Sequence, residues 1–262
     1  MDVRPLGLIA GTGFSSLATL TDAQDQSVGT AYGTARLVRG SWHGMPVAFL
    51  TRHGIGHTVP PHLVNYRANI AALRDVGVRE ILAVNVVGGI DPGLAPGSLV
   101  AVDDFLDFTK ARAHTFVDAD SPDGVTHTDV SHAYTPGLRA ELLTAAHRVG
   151  TTLVDGGVYA CFEGPRFESP AEIRLAALAG GTVAGMTGVP EVTLAAEAGV
   201  GYASICLVVN PAAGVSEEEI TMDQINGHLA TSAHQVLAIL DEVLAARAAH
   251  HGETGPTRDG QS

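Results

Sequence analysis

The sequence predicts an α/β fold, a single α/β/α sandwich around a twisted mixed sheet. Three observations predict it. Short apolar runs alternate with amphipathic runs between residues 6 and 244, as strands interleaved with helices do. The apolar runs end in Gly, Arg-His or Asn, and in such sheets ligands bind beyond the carboxyl ends of the strands. The 262 residues are 45% hydrophobic, enough for one large core, and no linker or charge block divides them. One domain is expected over residues 1–249, with 250–262 a polar, Gly-rich, disordered tail.

The elements follow in order. Leu6–Ala10 reads as a buried strand closed by Gly11-Thr12-Gly13. Ala35–Gly40 and Val47–Arg52 read as a hairpin, with Trp42–Pro46 as its turn. Leu63, Tyr66, Ile70 and Leu73 recur at helical spacing, and Gly77 is placed to stop that helix. Glu80–Val87 is a buried strand ending in Gly88-Gly89, and Leu99–Val102 a short one. Residues 105–135 lack periodicity, and an irregular stretch that long is usually functional. Leu138–Val149, Ala171–Ala179 and Glu191–Ala198 read as helices. Thr152–Phe162, Thr182–Gly185 and Gly201–Asn210 read as strands. Val236, Leu237, Leu240, Val243 and Leu244 form the apolar stripe of a last helix.

Charge narrows the partners. With 15 Lys and Arg against 28 Asp and Glu the formal charge is −13. Such a chain repels nucleic acid and anionic lipid, so neither is expected as a partner. No apolar run approaches the length of a membrane span, and the N-terminus lacks the run of a signal peptide. The expected location is cytoplasmic. Cys161 and Cys206 each lie in apolar surroundings and read as buried free thiols.

Several strand tips carry chemistry. Gly11–Gly13 can turn main-chain amides toward an anion, but Phe14-Ser15-Ser16 follows where a dinucleotide-binding loop needs a third glycine and a helix. Arg52-His53 offers a guanidinium suited to phosphate. His53 and His57 have the spacing of a zinc-protease helix, yet two glycines intervene and the glutamate base is missing, so no metal site is expected. In Glu163-Gly-Pro-Arg-Phe-Glu168, Glu168 can serve the dipole of a following helix. Alternatively, Phe167 stacks on a flat ring while Glu168 accepts from its N–H groups. Asn210 is a turn former, or a side-chain amide able to donate and accept along a heterocycle edge.

Together these segments resemble the trimeric branch of the purine nucleoside phosphorylase and methylthioadenosine phosphorylase family. The resemblance is carried by Leu8–Gly13, Arg52-His53, Val64-Asn-Tyr-Arg-Ala-Asn69, Asn85-Val-Val-Gly-Gly89, Glu163–Glu168, Gly185-Met-Thr-Gly-Val-Pro-Glu191 and Val209-Asn-Pro-Ala-Ala213. It runs from residue 7 to about residue 245 and leaves the tail after 250 uncovered. It implies a nucleoside-phosphorylase-like fold and a phosphate site of Thr12, Arg52, His53, Val86 (main chain) and Thr187. It implies that Met186 packs under the ribose, that Phe167 packs on the purine, and that Glu168, Asn210 and Ala212 flank the base. Asn210, Glu168 and His53 would carry the catalysis. It also implies a homotrimer in which a neighbour's 105–135 segment supplies His127. Phosphate is then a co-substrate, and no cofactor is needed.

The resemblance also bears on the substrate. The adenosine-type branch places aspartates after the last strand and a small hydroxyl residue at the position of Glu168. This chain has neither and matches the 6-oxopurine pattern. Hypoxanthine and guanine carry N1–H, which an ionised Glu168 can accept, whereas adenine N1 is itself an acceptor. Enzymes of ordinary 6-oxopurine ribonucleosides place a histidine near the 5′-hydroxyl. The corresponding place here is Met222, with His228 too far along the helix. An apolar residue there suits a methylthio group, so the expected reaction is phosphorolysis of S-methyl-5′-thioinosine. Alternatives are inosine or guanosine as substrate with Met222 in the core, methylthioadenosine as substrate, a nucleosidase using water, and a nucleoside-binding protein without catalysis.

Overall fold

Eleven strands share one sheet in a computed structural model that describes residues 3–14, 19–54, 56–119, 124–217 and 219–253. The strands are β1 (Leu6–Ala10), β2 (Thr21–Thr30), β3 (Gly33–Trp42), β4 (Met45–Thr51), β5 (Glu80–Gly89), β6 (Leu99–Ala101), β7 (Asp104–Phe108), β8 (Leu153–Asp155), β9 (Val158–Phe162), β10 (Gly181–Gly185) and β11 (Gly201–Pro211). The helices are α1 (Tyr66–Asp75), α2 (Pro136–Arg148), α3 (Pro170–Leu178), α4 (Gly188–Glu197) and α5 (Met222–Glu253). The sheet is mixed, as expected: β1 runs parallel to β4 and β5, while β2, β3 and β4 are antiparallel.

The branch at β5 makes the site. Its first half lies between β1 and β11, both parallel to it. At Gly88 and Gly89, β10 comes alongside antiparallel, pairing Ala184 and Val183. The sheet therefore opens where the tips of β1, β4, β5, β9, β10 and β11 converge. The apolar runs of β1, β5 and β11 are buried on both faces, which their near-continuous hydrophobicity foretells. One core cluster joins α1 and α4 to one face, and a second joins α2 and α5 to the other.

Local signals account for the ends of elements. The β3–β4 turn holds His43 at φ 52° and Gly44 at φ 77°, the left-handed pair that a two-residue hairpin needs. Gly77 stops α1 at φ 96°, its N–H reaching the Arg74 carbonyl while that of Val78 reaches Leu73. Leu63 lies outside α1, in a short 3-10 turn, and is exposed.

One strand went unread in the sequence, and four readings need correction. Polar, exposed Thr21–Thr30 is a strand; it has no apolar face to alternate. Residues 105–135 are not structureless, since most of β7 lies among them. The run 152–162 splits into β8 and β9, because Gly156 and Gly157 turn the chain at φ 94° and 141°. The last helix passes the expected boundary at 249 and continues to Glu253, while 254–262 fall outside the described residues. Over Met222–His251 that helix is also long and apolar enough to cross a membrane by length and composition, contrary to expectation. Its apolar stripe is occupied, however: Val236, Ile239, Leu240, Val243 and Leu244 are buried against the sheet and α2.

Candidate active site

The converging strand tips enclose one cavity of about 730 Å³. At one end it is lined by Thr12, Arg52, His53, Val86 and Thr187, and at the other by Phe167, Glu168, Met186, Asn210, Ala212 and Met222. Eleven of the twelve binding positions named from the sequence thus share one space; the twelfth, His127, makes none of its wall. His127 is exposed, in the irregular stretch before α2.

The Arg52 end of the cavity rests on a buried ion pair that sequence reasoning missed. Arg52 donates from Nε to Glu191 Oε2 and from Nη2 to Glu191 Oε1, both at 2.7 Å. Each side chain is 1% exposed. Tyr202 donates its hydroxyl to Glu191 Oε1 at 2.7 Å, and Arg52 Nη1 donates to the Val84 carbonyl at 3.2 Å. Of five guanidinium hydrogens, three are thus committed, leaving one on each terminal nitrogen. The ion pair with Glu191 keeps Arg52 charged despite burial that opposes it. Gly11 lets this group approach β1, because a Cβ there would lie 3.1 Å from Arg52 Nη1 and from the His53 ring. Among the described residues the next regular element after Gly11–Gly13 is β2, not a helix.

His53 has a defined tautomer. Its Nδ1 lies 2.8 Å from the Val59 carbonyl, which can only accept, so Nδ1 carries the hydrogen and Nε2 of the neutral ring is an acceptor. Burial, then the Arg52 charge and His57, hold its pKa down at about 4. The His57 ring stands 4.3 Å away, tilted. Thr187 precedes α4 and donates its hydroxyl to Asn85 Oδ1 at 3.0 Å, while Asn85 Nδ2 donates to Ser204 at 2.7 Å. The Thr187 N–H meets the buried Tyr159 hydroxyl at 3.2 Å.

At the other end the helix-serving reading of Glu168 fails. Ser169 caps α3, accepting from the Glu172 N–H while Glu172 accepts from that of Ser169, a complete capping box. Arg166 is paired with Glu172 on the outside through two 2.8 Å contacts. Glu168 is left buried, with Oε1 lacking any hydrogen-bond partner. Burial raises its pKa above the ordinary value. Asn210 donates Nδ2 back to the Pro211 carbonyl at 2.6 Å. Phe167 is partly exposed at the rim. Met222 is 55% exposed and lines the cavity, so it is not a core residue. Cys161 and Cys206 are buried free thiols, each pushed up to about 12 by burial.

A second arginine organises the loops. Arg112, from the stretch without periodicity, is buried and donates to the carbonyls of Val189 at 2.6 Å, Phe162 at 3.1 Å and Glu163 at 2.8 Å. It ties the loop bearing Phe167 and Glu168 to the one bearing Met186 and Thr187. The signals for these missed residues were present: Glu191 and Asn85 are lone polar residues inside apolar runs. Arg112 gave no such signal.

A cavity with arginine and histidine at one end and a carboxylate and an amide at the other, at the tips of a branched mixed sheet, fits a class of enzymes. Residues 5–245 match the family described as the Phosphorylase superfamily, and the chain belongs to it. Among its relatives is a protein of Moorella thermoacetica named "Probable 6-oxopurine nucleoside phosphorylase", 47% identical over 84% of each chain. Another, of Pseudomonas syringae pv. tomato, is named "Probable S-methyl-5'-thioinosine phosphorylase" and is 45% identical over 91% of this chain and 98% of that one. A solved methylthioadenosine phosphorylase from Schistosoma mansoni, in complex with adenine, superposes with a TM-score of 0.88 at 32% identity, covering 94% of this chain and 92% of that one. The nucleoside-phosphorylase-like fold expected from the sequence is therefore the one adopted.

Proposed function

We propose that this chain cleaves 6-oxopurine nucleosides with phosphate, with S-methyl-5′-thioinosine the preferred substrate, giving hypoxanthine and 5-methylthioribose 1-phosphate. The observation that carries the reading is that Arg52 and Glu168 line the same cavity. The names of the relatives support the 6-oxopurine class. The exposed Met222 at the cavity wall supports the apolar 5′ group.

Phosphate would take the two free hydrogens of Arg52 and the Thr12 loop, and give its own hydroxyl hydrogen to His53 Nε2. Turning over the Asn85 amide would keep its contacts with Ser204 and Thr187 while releasing the Thr187 hydroxyl hydrogen to the anion. The bound dianion stabilises positive charge developing on the ribosyl ring, then bonds to C1′ as the bond to N9 breaks. The electron pair of that bond leaves with the purine. Asn210, swung off Pro211, donates to the N7–O6 edge, and this bond strengthens as negative charge gathers there. Glu168 accepts from N1–H, Phe167 covers the ring face, and Met186 and Ala212 complete the walls. The chemistry calls for no metal or organic cofactor.

A cytoplasmic homotrimer completes the proposal, with the exposed His127 given to a neighbour's cavity. The test compares methylthioinosine, inosine, guanosine and methylthioadenosine at equal enzyme. Methylthioinosine should have the highest kcat/KM, and a higher value for methylthioadenosine near neutral pH would overturn the roles of Glu168 and Asn210.

A further inference from the structure

The wall that faces the base has one fixed element and one adaptable one. Asn210 carries both an acceptor and a donor on one amide, and its present partner is its neighbour's carbonyl. Rotated one way it donates toward O6; rotated the other it accepts from a 6-amino group while N–H still reaches N7. Glu168 has no such freedom while ionised, because a carboxylate only accepts. Its Oε1 is buried without a partner, and α3 does not use it. A single proton on Glu168 converts that acceptor into a donor, which is what N1 of adenine requires.

We propose that this chain also takes 6-aminopurine nucleosides in acid solution, each bound with uptake of one proton shared between Glu168 and N1 of the base. The inference rests on the 6-oxopurine reading of the same site. It adds an activity that this reading alone excludes, and it gives the activity a fixed pH law. Above the titration of Glu168 the protonated fraction falls tenfold per pH unit, so the relative efficiency toward 6-aminopurines falls tenfold with it.

The charges around Glu168 do not supply an alternative donor. Arg166 on its own loop and Glu172 on α3 are bound to each other. Glu163 and Lys110 line the small cavity behind it, where Glu163 accepts from the main-chain N–H of Lys110 at 2.7 Å and lies beside Arg112. From β11 it is faced by the neutral Asn210. His53, His57 and Arg52 stand at the phosphate end of the main cavity. Burial favours the uncharged carboxyl, which eases the proton uptake.

The experiment measures kcat/KM for methylthioadenosine and methylthioinosine with saturating phosphate from about pH 5 to about pH 8. Ionisations of phosphate and of His53 affect both substrates alike and cancel in the ratio. The methylthioadenosine to methylthioinosine ratio should rise about tenfold for each pH unit of acidification until Glu168 titrates. The 1-deaza analogue of methylthioadenosine, which has no N1, should show no such rise. Glu168→Gln presents an amide N–H to N1 without any proton and should flatten the ratio. Calorimetry of adenine binding in two buffers of different ionisation enthalpy should give about one proton taken up at pH 7.5, and none for hypoxanthine. A ratio constant within about twofold over the range, or a slope that persists in Glu168→Gln, overturns the inference. If methylthioinosine and inosine are both inert with phosphate, the underlying 6-oxopurine reading fails instead.

Discussion

Replacing Glu191 by Gln isolates the support of the proposed phosphate site. Glu191 accepts two hydrogen bonds from Arg52 and one from Tyr202, all at 2.7 Å, at 1% exposure. Glutamine keeps the shape but places an amide nitrogen, itself a donor, against one of those three donors. It also leaves the Arg52 charge without its counter-ion. Removing one partner of a buried pair costs about 3–5 kcal/mol, because the other charge stays buried. For a chain of this size, about 3 kcal/mol lowers Tm by roughly 6–12 °C. Phosphate should then act more strongly on the variant than on the parent, since the uncompensated guanidinium gains a new counter-ion. Thermal unfolding in phosphate-free buffer and in saturating phosphate reads both effects. A loss below about 1 kcal/mol would refute the dependence of Arg52 on Glu191. An equal phosphate shift in both proteins would place Arg52 away from the anion.

Three further outcomes follow from the same geometry. Asn210→Ala should lower kcat by about a hundredfold and move KM little, as loss of a donor to developing charge does; steady-state kinetics with methylthioinosine check it, and unchanged turnover refutes the role. His53 has a folded pKa of about 4 against an ordinary 6.5, so the unfolded chain binds the proton first. Its contribution to stability is therefore complete above about pH 6.5 and is lost as pH falls to about 4, in all about 3 kcal/mol. Urea unfolding of the parent and His53→Gln should converge over that window, and a constant difference between them would contradict it. Arg112→Ala leaves three loop carbonyls short of a donor, so it should destabilise the fold by about 3 kcal/mol or more. Arg112→Lys should recover part of that loss in the same melts.

The legible parts of the fold were those whose burial writes itself into periodicity. Strands β1, β5 and β11 are buried along their length and appear as apolar runs. The edge strand β2 pairs with β3 and has no fully buried side chain, so its sequence has nothing to alternate. In α5 the polar, Gly-containing stretch from residue 250 looked like a terminus, yet the helix continues to Glu253. Of the site, residues in short local motifs, such as Glu168 in the loop before α3 and Asn210 at the end of β11, could be picked out. The Arg52–Glu191 pair was not, because its partners are 139 positions apart and only folding brings them together. The same holds for Arg112, whose carbonyl partners lie up to 77 positions away.

The central claim is that phosphate, bound over Arg52 and His53, is the nucleophile toward a purine nucleoside held by Glu168 and Asn210. Phosphorus NMR of a reaction with methylthioinosine tests it most directly. A sugar 1-phosphate resonance should grow in step with free hypoxanthine, and no hypoxanthine should form when phosphate is withheld. Hypoxanthine released at the same rate without phosphate, together with unphosphorylated methylthioribose, would contradict it.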